Sequence, residues 1–254
     1  MKIVLLGDSI TQGIGKLKIN YTEKLYERLK KDYEDEIIDI HNLALTGTTV
    51  KYAMGLLEKI QEISPDIVII MYGTVDLQVR PNMETNKFGI LSLTPGRYKN
   101  IKGMLNPRPF MSKRRGKRFL DCIDNIYRWI WKRVVVMTQG TMQYSDLDTF
   151  KAEYLQLLDA LKEYEIIVCS TIYLDNKIYT KKSLQNYEDA NKFLEKSNEF
   201  YVDLFSKQRE IVGVDGWKSI YYNDHFHPND KGYDIIAQKL EEAIVRMWNS
   251  ENVK

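Results

Sequence analysis

The 254-residue chain predicts an α/β fold: a parallel sheet of about five strands sandwiched between two layers of helices, with one inserted segment. Three observations lead there. Short apolar runs rich in β-formers stop abruptly at Gly7, at Asn42 to Gly47 and at Gly73. Stretches with helical spacing alternate with those runs. The run from Ile67 to Met71 is apolar at every position, as expected of a strand buried on both faces.

The first strand is Lys2 to Leu6, ended by Gly7-Asp8-Ser9-Ile10-Thr11 and the glycine-containing loop Gln12-Gly13-Ile14-Gly15. From Tyr21 to Tyr33, Leu25, Tyr26 and Leu29 recur at helical spacing among charges. Glu36 to His41 is a second strand and 48–62 a second helix, broken by Pro65 before the third strand. Residues 119–136 form a helix whose Ile123, Tyr127, Ile130, Trp131 and Val134 are expected in the core. Leu147 to Tyr164 is amphipathic, with Phe150, Tyr154, Leu157, Leu158 and Leu161 on one face. Ile166 to Ile172 is the fourth strand, 184–208 a long helix, and Ile211 to Asp215 the fifth strand or the approach to it. Tyr233, Ile236, Ala237, Leu240, Ile244 and Trp248 mark a closing C-terminal helix. With no internal repeat and no linker, residues 1–254 read as a single domain.

A buried strand that ends at a glycine delivers the next side chains to the rim of the sheet, where ligands bind in open α/β folds. Ser9 stands there, although Asp8 or Ser9 could instead merely cap a following helix. Far along the chain lies Asp224-His225-Phe226-His227-Pro228. A serine hydroxyl needs a base to become a nucleophile, and an imidazole with a pKa of about 6.5 suits that task. A carboxylate three residues away can fix its tautomer within one turn. These types and spacings point to Ser9, His227 and Asp224 as nucleophile, base and orienting acid. His225 is the competing base.

Gly7-Asp8-Ser9-Ile10-Thr11 together with Asp224-x-x-His227-Pro228 resembles the SGNH, or GDSL, hydrolase family. Asn42-Leu43-Ala44-Leu45-Thr46-Gly47 is similar to its second motif, and Tyr72-Gly73-Thr74-Val75-Asp76 stands where the third, Gly-x-Asn-Asp, belongs. The resemblance spans nearly the whole chain and implies a flavodoxin-like three-layer fold and esterase activity. It also implies an oxyanion hole built from the backbone N–H groups of Ser9 and Gly47. The third motif departs from the pattern: the asparagine that would supply another donor is Val75. Asp8, Val75, Asp76 and Arg80 are candidate substrate-binding positions, with Arg80 as a candidate substitute for the missing donor. Asp76 alternatively caps a helix or braces its loop, and His41 reads as an ordinary strand-end histidine. The spacing Gly-Thr-Val-Asp-x-x-x-Arg-Pro also resembles a variant of the family found among bacterial surface-polysaccharide enzymes.

Residues 80–118 interrupt the rhythm. Four of the chain's six prolines fall there (Pro81, Pro95, Pro107, Pro109), with the run Lys113-Arg114-Arg115-Gly116-Lys117-Arg118. So long an irregular stretch suggests a lid or a solvated insertion. Its basic cluster suits a phosphate, an acidic polysaccharide or a membrane surface. Phe88, Tyr98, Phe110 and Phe119 lack the spacing of a base-stacking platform, which with a net charge of +2 argues against nucleic acid.

No apolar run approaches the roughly 20 residues of a membrane span. Met1 leads directly into the first strand without a leader-like segment, so a cytoplasmic location is expected. Two cysteines, Cys122 and Cys169, are too few for a disulfide framework or a zinc site. No metal or nucleotide cofactor is indicated. Thr11 stands where Gly-x-Ser-x-Gly would place its last glycine, which argues against the α/β-hydrolase elbow. The expected activity is cleavage of an O-acyl ester, acetyl above all, on a small molecule or a glycan. The alternatives are an O-acyltransferase using the same triad and a non-catalytic glycan- or lipid-binding domain. The oligomeric state is left open by the sequence.

Overall fold

The computed structural model describes residues 1–14, 20–84, 86, 89–99 and 105–251. Gly15, Phe88 and parts of the 80–118 insertion lie outside them. The elements run β1 (Lys2–Gly7), α1 (Ser9–Gln12), α2 (Thr22–Asp32), β2 (Asp39–Asn42), α3 (Val50–Met54), α4 (Leu57–Ile63), β3 (Ile67–Met71), α5 (Thr74–Leu77) and β4 (Arg80–Pro81). They continue with α6 (Gly96–Lys99), α7 (Arg115–Gln139), β5 (Thr141–Met142), α8 (Leu147–Ala160), β6 (Glu165–Cys169), α9 (Lys181–Ser197), β7 (Tyr201–Val202), α10 (Leu204–Asp215) and α11 (Asp230–Glu251). A five-stranded sheet in the order β2-β1-β3-β6-β7 forms the middle layer, every pair parallel. The chain crosses from β1 to β2 on one side and then back past β1 to β3 on the other. That reversal creates a crevice at the carboxyl end of β1, the place where open α/β sheets bind ligands.

β1 and β3 supply the centre of the core. Ile3 through Leu6 and Ile67 through Met71 are buried, as the unbroken apolar run of β3 requires. Helices seal both faces. Leu25 and Leu29 of α2, and Ile236, Leu240 and Ile244 of α11, lie in that core, as do Phe150, Tyr154 and Leu157 of α8. Arg28 ties α2 to α11 by donating to Asp234 and Glu241, each at 2.9 Å.

Several expectations require correction. Residues 211–215 are not the fifth strand but the end of helix α10, and the edge strand is β7, inside the 184–208 stretch expected as one long helix. Two residues of edge pairing, Val168 with Tyr201 and Cys169 with Val202, leave almost no periodic signal. Asp203 then accepts from the Ser206 N–H and starts a helix that overrides the β-branched run Ile211-Val212-Gly213-Val214. The span 48–62 likewise divides into α3 and α4 around Gly55 and Leu56.

A further correction concerns the insertion, which extends well past residue 118. β4 and β5 pair antiparallel, Arg80 with Met142 and Pro81 with Thr141, and the Asn82 N–H donates to Gly140 O at 3.1 Å. The excursion from 82 to 140 therefore leaves and returns through one two-stranded clasp and carries the whole of α7. Tyr98, Leu105 and Val135 form a small core of their own, with Tyr127 and Trp131 packed against it. Ile123 and Ile130, expected inside, are about half exposed. Among the described residues no helix is long and apolar enough to cross a membrane.

Candidate active site

β1 ends beneath the turn of α1, which packs so closely that a Cβ on Gly7 would come within 2.3 Å of Thr11 Oγ1. Only glycine fits that position. Asp8 is the N-cap, its carboxylate accepting from the Ile10 N–H at 2.9 Å, and Ser9 follows as the first helical residue. The capping role that the sequence allowed thus falls to Asp8 and leaves the Ser9 hydroxyl available.

The Ser9 Oγ lies 3.1 Å from His227 Nε2, although 218 positions separate them in sequence. His227 Nδ1 lies 2.6 Å from Asp224 Oδ2. The other carboxylate oxygen, Oδ1, accepts from the backbone N–H groups of His227 and Phe226 at 3.1 and 3.3 Å. Asp224 therefore closes its own turn with one oxygen and holds the imidazole with the other. An Nδ1–H held in this way leaves Nε2 as the acceptor for the serine proton. The turn is clamped at its base, where Tyr221 bridges to Pro228 and the Tyr222 N–H donates to His227 O. Asn229 then accepts from the Gly232 N–H and starts α11.

His225 is directed elsewhere. It occupies the left-handed region (φ 51°), its Nδ1 is 2.8 Å from Asp175 Oδ2, and its ring stacks on Trp217 at 5.3 Å. His41 pairs with Asp39 at 2.9 Å.

The second motif is fastened to the first. Asn42 donates to Thr11 O at 2.7 Å and accepts from the Ala44 N–H. Gln12 Oε1 accepts from both the backbone and the hydroxyl of Thr46, and the Leu45 N–H donates to Gly7 O. These bonds set the Thr46–Gly47 corner against the end of β1. Gly47 has φ +77° there, a conformation that favours glycine even though a Cβ would meet nothing within 4 Å.

The third motif is held from behind. Asp76 is fully buried and accepts from the Val50 and Gly73 N–H groups, each at 2.9 Å, which ties α5 to α3. Val75 is buried. Its carbonyl accepts from Arg80 Nη2 at 2.6 Å, and the guanidinium lies 4.2 Å over the Tyr144 ring. Arg80 is itself buried and acts as a brace on the backbone of this loop. Sequence reasoning missed three other positioning residues. Tyr179 donates to Asp224 O at 2.9 Å, Tyr187 donates to Thr74 O at 2.6 Å, and Gln12 holds Thr46. The two tyrosines come from segments with no motif, so no local signal marks them.

A cleft of about 800 Å³ borders this corner. Gly47, Thr48, Tyr52, Glu84 and Tyr144 are among its walls, so Gly47 faces both the motif cluster and open space.

Burial pushes the Asp8 carboxyl up to about 7, and Asp76 nearby adds repulsion against the opposing Ile10 N–H. Burial also lifts Asp76 to about 6 despite its two backbone donors. Because the folded value of Asp8 lies above its unfolded value, the folded state binds this proton more tightly. The associated stability is complete below about pH 4 and is lost as pH rises through 7. The slope approaches about 1.4 kcal/mol per pH unit within that window. Thermal unfolding should therefore show a smaller pH 5-to-8 drop in Asp8→Asn than in the parent, since the substituted amide keeps the cap without the charge. Parallel curves for the two proteins would refute the assignment.

The sequence model of the GDSL-like lipase/acylhydrolase family matches residues 5–235. No sequence among curated proteins matches the chain. The fold is similar to that of an acetylxylan esterase from Geobacillus stearothermophilus, at 19% identity and TM-score 0.59, covering 96% of this chain and 93% of that one. It is also similar to a lipase/acylhydrolase from Enterococcus faecalis, at 16% identity and TM-score 0.58 over 96% and 94% of the two chains. A third likeness is to another acetyl xylan esterase, at 15% identity and TM-score 0.60 over 96% and 100%. At these identities the structural likeness establishes the fold.

Proposed function

The chain belongs to the GDSL-like lipase/acylhydrolase family and is an ester hydrolase; from that premise we propose that it removes O-acetyl groups from a carbohydrate through a Ser9-His227-Asp224 relay. The observation that carries the reading is the continuous contact from hydroxyl to imidazole to carboxylate, at 3.1 and 2.6 Å.

Ser9 Oγ attacks the ester carbonyl carbon while His227 Nε2 takes its proton. The backbone N–H groups of Ser9 and Gly47 receive the oxyanion that forms. Asp224 stabilises the imidazolium, which then protonates the departing sugar hydroxyl as the carbon–oxygen bond breaks. Water, deprotonated by His227, attacks the acetyl-enzyme; collapse releases acetate and returns the proton to Ser9. With Val75 in the third motif the oxyanion hole rests on two backbone donors. A missing donor of this kind costs about 2.7–4 kcal/mol in the barrier, and the buried Arg80 brace keeps the loop in place without replacing it.

The sugar assignment is supported by the cleft beside Gly47. Its tyrosines offer flat faces, and Glu84, Thr48 and Thr149 offer hydrogen-bonding groups, a mixture suited to a polyhydroxylated ligand. Two of the similar structures are acetylxylan esterases, which points the same way.

A serine-directed fluorophosphonate should form an adduct on Ser9, located by peptide mass spectrometry, and none on Ser9→Ala. Acetate should appear when an acetylated oligosaccharide is added. Absence of both would leave a binding domain, and acetyl transfer to an added sugar in preference to acetate release would mark an acyltransferase.

A further inference from the structure

Helix α7 is apolar on two sides: Tyr127, Trp131 and Val135 pack into the small core of the insertion, and a second apolar side is left outward. Phe119, Ile123, Ile126, Trp129, Ile130 and Met137 recur at helical spacing along one stripe, and that stripe faces solvent. Their exposures run from 47% at Ile123 to 85% at Met137. The acidic side chains of the helix are turned inward instead. Asp121 accepts from the Ser112 N–H and pairs with Arg108, and Asp124 pairs with Arg128 and accepts from the Tyr98 hydroxyl. Asp121 and Asp124 are the only carboxylates in α7, and both are buried. A contiguous apolar stripe of this length on a described surface is an interaction face rather than scattered exposure.

Charge identifies what covers it. Lys113, Arg114, Arg115, Lys117 and Arg118 are exposed at the N-terminal end of the helix, and Arg133 lies on the stripe itself, stacked 3.6 Å over Trp129. The whole chain is nearly balanced, with 37 basic and 35 acidic residues, so this cationic end is a local feature. A second copy laid antiparallel would cover the stripe but bring no α7 carboxylate to the cationic end. An anionic bilayer satisfies both parts: acyl chains accept the apolar side chains, and lipid phosphates meet the arginines and lysines. The helix is not apolar enough to span the bilayer, so it would lie along the interface. The clasp of β4 and β5, a sheet separate from the five-stranded one, closes the excursion that carries it.

We propose that the outer face of α7, together with the basic run 113–118, docks the protein on anionic phospholipid membranes. Neither the outer face of α7 nor the basic run takes part in the acyl chemistry.

The full chain is to be sedimented with vesicles of phosphatidylcholine alone and of phosphatidylcholine containing one-quarter phosphatidylglycerol. Binding to the anionic vesicles is expected, at least about tenfold tighter than to the neutral ones and weakened by high salt. Ile126→Glu with Ile130→Glu should abolish it. Reversing three charges (Lys113→Glu, Arg114→Glu, Arg115→Glu) should weaken it by roughly a hundredfold. Tryptophan emission should shift to the blue on binding, and Trp129→Phe should remove most of that shift. Circular dichroism and the melting temperature of each variant show that the fold is kept. No binding to anionic vesicles, or equal binding to both kinds, overturns the proposal. So does a dimer in sedimentation velocity that Ile126→Glu with Ile130→Glu converts to monomer.

Discussion

His227→Ala is expected to abolish ester turnover, with a loss of about 10⁴-fold or more, while His225→Ala keeps most of it. The two imidazoles are separated by one residue yet have different partners. His227 spans from Asp224 to the Ser9 hydroxyl, whereas His225 is held by Asp175 and Trp217. Removing the base leaves a serine of ordinary acidity with no acceptor for its proton, and triad members act as a unit whose single loss costs nearly the whole effect. His225→Ala loses a partly buried contact with Asp175 and a stacking partner, so its signature belongs in the melting temperature. Steady-state kinetics on a small aryl acetate, with thermal unfolding of both variants, separates the two. Retained activity in His227→Ala together with loss in His225→Ala would reverse the assignment.

Asp224→Asn should lower kcat by about 10⁴-fold, the magnitude of the same change in serine proteases. One asparagine orientation keeps an oxygen for the backbone N–H groups of Phe226 and His227 and presents an NH₂ to the imidazole. Facing that donor, Nδ1 must become the acceptor, so the proton moves to Nε2 and the ring can no longer take one from Ser9. The turn, still anchored by Tyr179 at the Asp224 carbonyl and by the bridge from Tyr221 to Pro228, should keep its shape. The expected pattern is therefore a large loss in kcat with a modest change in KM and melting temperature. A loss below tenfold would show that the carboxylate does not set the tautomer.

Strands whose whole length is buried announced themselves plainly. The run Ile67-Val68-Ile69-Ile70-Met71 is apolar because both faces are covered, and β1 ends at Gly7 because the following turn leaves no room for a side chain. β7 was not legible because it rests on two residues of edge pairing, so the local β-branched run downstream drew the assignment to what is helix α10. In α7 the periodicity was visible but its direction was not. Spacing shows that Ile123, Trp131 and Ile130 share a helix, and it cannot say which side of that helix meets the protein.

Amino-acid order alone determined the first three strands with helices between them, the glycine-ended β1 and the spacing of Asp224 to His227, because each depends on contacts within a few residues. Only the tertiary structure decided that residues 218 positions apart share a hydrogen bond. It also set the buried Arg80 behind Val75, and it packed one apolar side of α7 inward while leaving a second outward. Those outcomes depend on which segments the sheet order brings side by side, and that order comes from packing of the whole chain rather than from any local stretch of it.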